Sequence, residues 1–214
     1  MRPPLSFACS LTLMALLALP GTPVQAADSV RQLPPFIAIN CLGPVNVSVE
    51  AGLTQSVRVS GPDAFVAGLK TVVVDRELTI SLNDKSYQKL KGNAQVTITM
   101  PSLSRLKMEG AGETLLRNIN GERLDISYQG AGHVEASGKV KYLRLVARGV
   151  GEVNTRALQA ERVDVNFEGV GAVSVYASEL LNAIARGMGT LEYYGHPRTV
   201  NKSVEGIGSV RAGD

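Results

Sequence analysis

One tripeptide, Gly-x-Gly, recurs six times between residue 109 and the C-terminus of this 214-residue chain. The pairs are Gly110/Gly112, Gly130/Gly132, Gly149/Gly151, Gly169/Gly171, Gly187/Gly189 and Gly206/Gly208, and their first glycines stand 20, 19, 20, 18 and 19 residues apart. A fixed period in this range marks a repeat architecture, in which each unit buries its apolar face by stacking on its neighbours. Aligned on the first glycine, the residues six, four and two positions earlier are apolar in the central units: Leu124/Ile126/Tyr128, Leu143/Leu145/Ala147, Val163/Val165/Phe167 and Leu181/Ala183/Ala185. The outer units are poorer, with Ser104 before Leu106/Met108 and Lys202 between Val200 and Val204. Alternation with period two predicts strands with one buried face. The residue between the glycines is always apolar (Ala111, Ala131, Val150, Val170, Met188, Ile207), and alternation resumes beyond the pair at Val134, Val153, Val173, Leu191 and Val210. Each unit therefore reads as strand, glycine corner, strand and return, the corner being a place where backbones approach closely.

The polar positions bear on how the units meet. Five residues before the glycine the column reads Arg105, Asp125, Arg144, Asp164, Asn182, Asn201; one residue before it, Glu109, Gln129, Arg148, Glu168, Arg186, Glu205. In a parallel in-register stack, matching residues lie about 4.8 Å apart, so like charges repel and opposite charges pair. Neither column sets two like charges in adjacent units. The expectation is a parallel β-solenoid of about 19–20 residues per coil, its six regular coils making a rod of roughly 25–30 Å.

Residues 1–26 read as a secretory signal: Arg2, an apolar run from Leu5 to Leu19, and Val24-Gln25-Ala26 before the cleavage point. That run is short and broken, so a retained membrane span is not expected. Cys9 lies early in the apolar run and does not resemble a lipoprotein cleavage site; Cys41 is then the only mature cysteine. It reads as a small buried hydrophobe closing the Ile37/Ile39/Cys41 alternation. The formal charge of +3 is too weak to point to nucleic acid or an anionic membrane. Residues 27–35, with Pro34 and Pro35, read as a flexible lead-in. Residues 36–214 read as one domain, with 36–100 as irregular N-terminal coils and cap and 101–214 as the regular repeats. Asp63 is the expected cap of a short helical turn through Phe65 and Val66. Lys85, Lys89 and Lys91 read as a solvated loop, and Asn46-Val-Ser48 and Asn201-Lys-Ser203 fit a glycosylation pattern that matters only in a host that performs it.

No constellation for chemistry stands out. Dinucleotide-binding glycines sit at a single turn opening a helix, whereas these recur between strands. The residues just past the corners (Glu113, His133, Glu152, Ala172, Thr190, Ser209) are too mixed for a calcium ladder. His133 and His196 are the only histidines, and with one mature cysteine neither zinc nor a Cys/His dyad has support. No catalytic residue, cofactor or metal ligand is assigned. Asp125 and Asp164 share a column as in a carbohydrate-cleaving β-helix, but Arg144 between them fits a charge ladder instead.

The N-terminal export pattern, the strands from Phe36 to Val59, the series of Gly-Ala-Gly and Gly-Val-Gly corners and the segment Leu191-Glu-Tyr-Tyr-Gly195-His-Pro197 together resemble the head GIN domain family, whose members are labelled auto-transporter adhesins. The resemblance runs from about Phe36 to Asp214. It implies a right-handed, pectin-lyase-like parallel β-helix without a fixed catalytic set, and an adhesive role. The end at Gly208-Ser-Val-Arg-Ala-Gly-Asp214 shows no barrel, stalk or sorting signal, so a periplasmic or secreted domain, not integral to the membrane after signal cleavage, is expected. The leading expectation is a non-catalytic cell-envelope module that binds an unidentified surface, glycan or protein ligand, with Tyr193, Tyr194, Val146 and Ile184 as candidate contacts. Two alternatives stand beside it: a carbohydrate-active β-helix enzyme, and an envelope component that forms homo-oligomers through its C-terminal end.

Overall fold

The computed structural model describes residues 27–82 and 94–214. The signal reading for 1–26, Cys9 and the Lys85/Lys89/Lys91 loop lie outside the described residues. Within them the chain forms β1 (Ala27–Arg31), β2 (Ala38–Leu42), β3 (Asn46–Ala51), β4 (Ser56–Gly61), α1 (Asp63–Gly68), β5 (Leu69–Val74), β6 (Glu77–Leu82), β7 (Gln95–Met100), β8 (Arg105–Tyr194) and β9 (Thr199–Ala212). All strands join one sheet in the order β1-β4-β7-β3-β8-β2-β6-β5, with β9 on β8.

The all-β class is as expected, but the right-handed parallel β-helix is not what forms. The sheet is a nearly closed barrel with mixed strand pairing. β4 runs antiparallel to both β1 and β7, and β5 runs antiparallel to β6. Parallel pairs join β2 to β6 and β8, β3 to β7 and β8, and β8 to β9. The physical cause lies in the N-terminal half, which carries no Gly-x-Gly repeat. There β5 and β6 are joined by Asp75 and Arg76, both left-handed at φ 50° and 62°, with Val74 opposite Glu77. Two left-handed central residues give a two-residue hairpin whose twist matches antiparallel strands. Asp-Arg is not among the dipeptides that announce such a turn, so the alternation of Val72/Val74 and Leu78/Ile80 was compatible with either direction.

Two smaller expectations also change. Residues 27–31, expected within a flexible lead-in, form a strand registered on β4 from Ala27↔Gly61 to Arg31↔Val57. The segment after it is held by Gln55, whose Nε2 donates to the carbonyls of Leu33 and Pro34 and whose Oε1 accepts from the Phe36 amide. Asp63 is the first helical residue; Pro62 precedes it as N-cap, and no side chain caps the helix.

β8 is an extended run of 90 residues. Stretched straight it would span about 300 Å, so it must turn repeatedly, and it does so at the glycine pairs. There the backbone of one pass lies on that of the last. A Cβ at Gly130 would run into the carbonyl oxygen of Gly110, one at Gly149 into that of Gly130, and one at Gly169 into that of Gly149. The same contact brings Gly110 onto Gly43, so the Gly43-Pro44 turn begins the series. Most of these glycines also have positive φ, as at Gly130 (148°) and Gly149 (122°). Both conditions exclude a side chain.

The apolar columns line the interior. Leu124, Leu143, Val163 and Leu181 are fully buried, as are Val134, Val153, Val173 and Leu191 beyond the corners, within one continuous cluster. Cys41 is buried and free, and desolvation pushes its thiol up to about 12. At β9 the interior column ends in Lys202, whose Nζ donates across to the Val210 carbonyl at 3.3 Å.

Gly149→Ala is expected to destabilise the fold by more than about 2 kcal/mol in urea unfolding, through positive φ and the clash with Gly130. Gly121→Ala, with nothing within 4 Å of the new Cβ, is expected to leave the midpoint nearly unchanged. Equal effects at the two sites would overturn the stacking account. Cys41 is expected to resist a thiol reagent in the native protein at pH 8 and to react at once in denaturant, as followed by absorbance.

Candidate functional site

Alternation along β8 sends every second side chain outward, and the passes bring four such positions, seven, five, three and one residue before each corner, side by side on one face. Three grooves open on it. The largest, about 550 Å³, is bordered by Tyr142, Arg162, Asp164 and Asn182 among others. A second, about 350 Å³, lies among Arg105, Asp125, Ser127, Arg144 and Val146. A third, about 340 Å³, lies among Arg144, Val146, Asp164, Asn166, Asn182 and Ile184.

The two charge columns behave differently. In the column next to the corners Arg148 Nε meets Glu168 Oε2 at 3.1 Å, Arg186 Nη1 meets Glu168 Oε1 at 3.4 Å, and Arg186 Nε meets Glu205 Oε2 at 3.0 Å. This is a continuous ladder over four passes. The hydrogen bonds from Arg148 and then from Asn166 hold the Glu168 carboxyl below the usual carboxylate range. In the other column the expected Asp125 pairs with Arg105 and Arg144 are not made. Asp125 is held by Arg123 of its own strand at 2.9 Å, and Arg105 reaches Glu77 at 3.3 Å. Further along, Asp164 accepts from the Tyr142 hydroxyl and from Asn182 Nδ2, and Asn201 Nδ2 donates to Asn182 Oδ1 at 2.9 Å. Arg123 also lies over the Tyr142 ring, 5.0 Å from its centroid. The bond to Asp164 pushes the Tyr142 phenol up.

Tyr142, Arg123 and Asp164 were not singled out as contacts from the sequence. The available signal was their place in the outward columns. Val146 and Ile184, which were, line one groove together. Tyr193 and Tyr194 do not join them: they border a separate groove of about 270 Å³ with His196 and Pro197. The Tyr194 ring is covered by Arg156 at 4.1 Å, and its hydroxyl donates to Glu192 at 3.0 Å. His133 Nδ1 stands 3.6 Å from Glu152 Oε2. Among the described residues no group of three His, Cys, Asp or Glu is placed to hold a metal, and no helix is long and apolar enough to cross a membrane.

A feature that alternation alone did not reveal is the outward position of the residues between the glycines. Val150, Val170, Met188 and Ile207 are exposed, the last by 81%, and form an apolar ridge beside the ion ladder.

Because Glu168 is held low in the folded state, its contribution to stability is present above the ordinary glutamate range and is lost as pH falls through the lowered value. Carboxyl NMR titration is expected to place Glu168 below a typical glutamate, and Arg148→Gln to move it back up. An unchanged titration in that variant would show that the ladder does not act on Glu168.

A family model described as "Putative auto-transporter adhesin, head GIN domain" matches residues 35–197. Among solved structures the chain is similar to a putative adhesin from Bacteroides fragilis NCTC 9343, with 22% identity, TM-score 0.69, and 88% of this chain and 97% of that one covered. It is also similar to a putative adhesin from Parabacteroides distasonis ATCC 8503, with 14% identity, TM-score 0.51 and coverage of 88% and 97%. A putative adhesin from Parabacteroides merdae ATCC 43184 gives 15%, 0.50, and 89% and 97%. At these identities the likeness speaks to the fold. No curated protein matches the chain. The family match, which takes in every glycine corner but the last, is the stronger finding: this chain belongs to the head GIN domain family.

Proposed function

We propose that this chain is a non-catalytic binding domain of the cell envelope, exported by the signal at residues 1–26 and then periplasmic or secreted. Residues 36–214 act as one domain, and the outward face of β8 is its contact surface. The observation that carries this reading is that three grooves share one face, along columns of side chains held by the stacked corners. A face built on regular strands presents its groups in fixed geometry, which lowers the ordering cost of binding. The family description and the solved adhesins support attachment as the role, and neither names a ligand.

The enzyme alternative draws less from the geometry. Asp125 and Asp164, the acids of one column, are tied to Arg123 and to Tyr142 and Asn182 respectively. Self-association through β9 is disfavoured by Lys202, since a charge on an inward position blunts an edge strand.

The test is attachment of the fluorescently labelled chain to intact cells and to extracted envelope, compared with two face variants, Val146→Glu and Ile184→Glu. Each is expected to lower binding at least tenfold, while Arg117→Gln, on the strand beyond the corner, leaves it unchanged. Equal binding by all four proteins, each folded by circular dichroism, would remove the face from consideration.

A further inference from the structure

The centre of the contact face carries a guanidinium with no acid to answer it. Around it every other cation is engaged: Arg105 with Glu77, Arg123 with Asp125, Arg148 with Glu168, and Arg186 with Glu168 and Glu205. Arg144 has no carboxylate within 4 Å and no hydrogen-bond partner among the described residues. Its column neighbours are the two acids that could have taken it. Asp125 is turned to Arg123, and Asp164 is filled by Tyr142 and Asn182.

Arg144 also lines two grooves, which share it together with Val146. Of the guanidiniums that line them, Arg105 and Arg148 are paired with Glu77 and Glu168, so the charges without an ionic partner there are Arg144 and Asp164, the latter held by the neutral donors Tyr142 and Asn182. Beside Arg144 lie a small apolar shelf, Val146 and Ile184, and neutral hydrogen-bonding groups, Ser127, Asn166 and Asn182. Asn166 Oδ1 is screened from solvent and accepts no hydrogen bond. A guanidinium presents a planar fork that matches a carboxylate in a two-bond arrangement. Amides and hydroxyls on either side suit a chain of hydroxyls, and a short aliphatic shelf suits the apolar face of a sugar ring. A protein hot spot would instead call for buried aromatic or large apolar anchors, which these two grooves lack.

We propose that Arg144 is the anchor of a binding site for an acidic polysaccharide, receiving the carboxylate of a hexuronate unit while adjoining sugars lie in the flanking grooves. This rests on the reading of the β8 face as the contact surface and specifies what that face takes.

The experiment is calorimetric titration of the full chain with hexagalacturonate, its methyl ester and maltohexaose, at low and at 0.5 M salt. Hexagalacturonate is expected to bind, with its methyl ester and maltohexaose at least tenfold weaker, and salt is expected to weaken it. Arg144→Gln is expected to lower affinity at least tenfold and Arg144→Lys to recover only part of it, because a point charge lacks the fork. Arg117→Gln, off the face, is expected to match the parent chain. Equal affinity for acid and ester, or indifference to Arg144→Gln, overturns the proposal. So does an absence of saccharide binding from a chain that still attaches to cells in a manner sensitive to Val146→Glu; that result points to a protein partner and leaves the contact face standing. Acid-selective binding that ignores both Arg144→Gln and Val146→Glu overturns the face and the anchor together.

Discussion

Backbone meeting backbone at the corners is the constraint on which the rest of this structure depends. When the carbonyl of one glycine occupies the space where the next glycine's Cβ would be, the passes of β8 have no freedom to slide. A one-residue slip would also turn every inward side chain outward. Register is therefore fixed twice, once by the corners and once by the interior column from Leu124 to Leu181. This fixity lets side chains from different passes form columns at all.

The columns then divide by chemistry. Next to the corners, opposite charges answer one another from Arg148 to Glu205 and neutralise the surface along that line. Exposed pairs of this kind add little stability each, and the ladder's larger effect is to leave no free charge there. Four residues further back the same alternation of sign gives a different result. Arg123 takes Asp125 from within its own strand, and a tyrosine and an amide take Asp164. Local partners outcompete the column, and Arg144 is left over. The charges of the face that lack an ionic partner, Arg144 and the neutrally held Asp164, thus arise from competition among hydrogen bonds that spacing alone does not reveal.

What could be read in the sequence follows the same division. The corners, the interior columns and the burial of Cys41 were legible because each depends on residue type at a fixed interval. The overall architecture was not. The repeat occupies residues 101–214, and extending it to the first hundred residues overlooked the hairpin at Asp75-Arg76 and the antiparallel setting of β4 between β1 and β7. Period-two alternation states which face is buried and says nothing about strand direction, so mixed pairing was invisible to it. Of the candidate contacts, Val146 and Ile184 share a groove because they occupy one outward column. Tyr193 and Tyr194 sit at the end of β8, and their surroundings depend on the turn through His196 at φ 52°; Gly195-His-Pro197 marks a turn there without giving its geometry.

Lys202 shows how such a stack can finish. Earlier passes place Leu145, Val165 and Ala183 at that inward position; the last places an ammonium group there, tethered to the carbonyl of Val210. Another pass laid on this one would have to shut that charge inside a dry interior, where an unpaired ion is severely penalised. A single side chain thereby gives the protein a polarity of growth: the interior can be extended at the price of a charge, and with Lys202 in place the last layer is self-terminating.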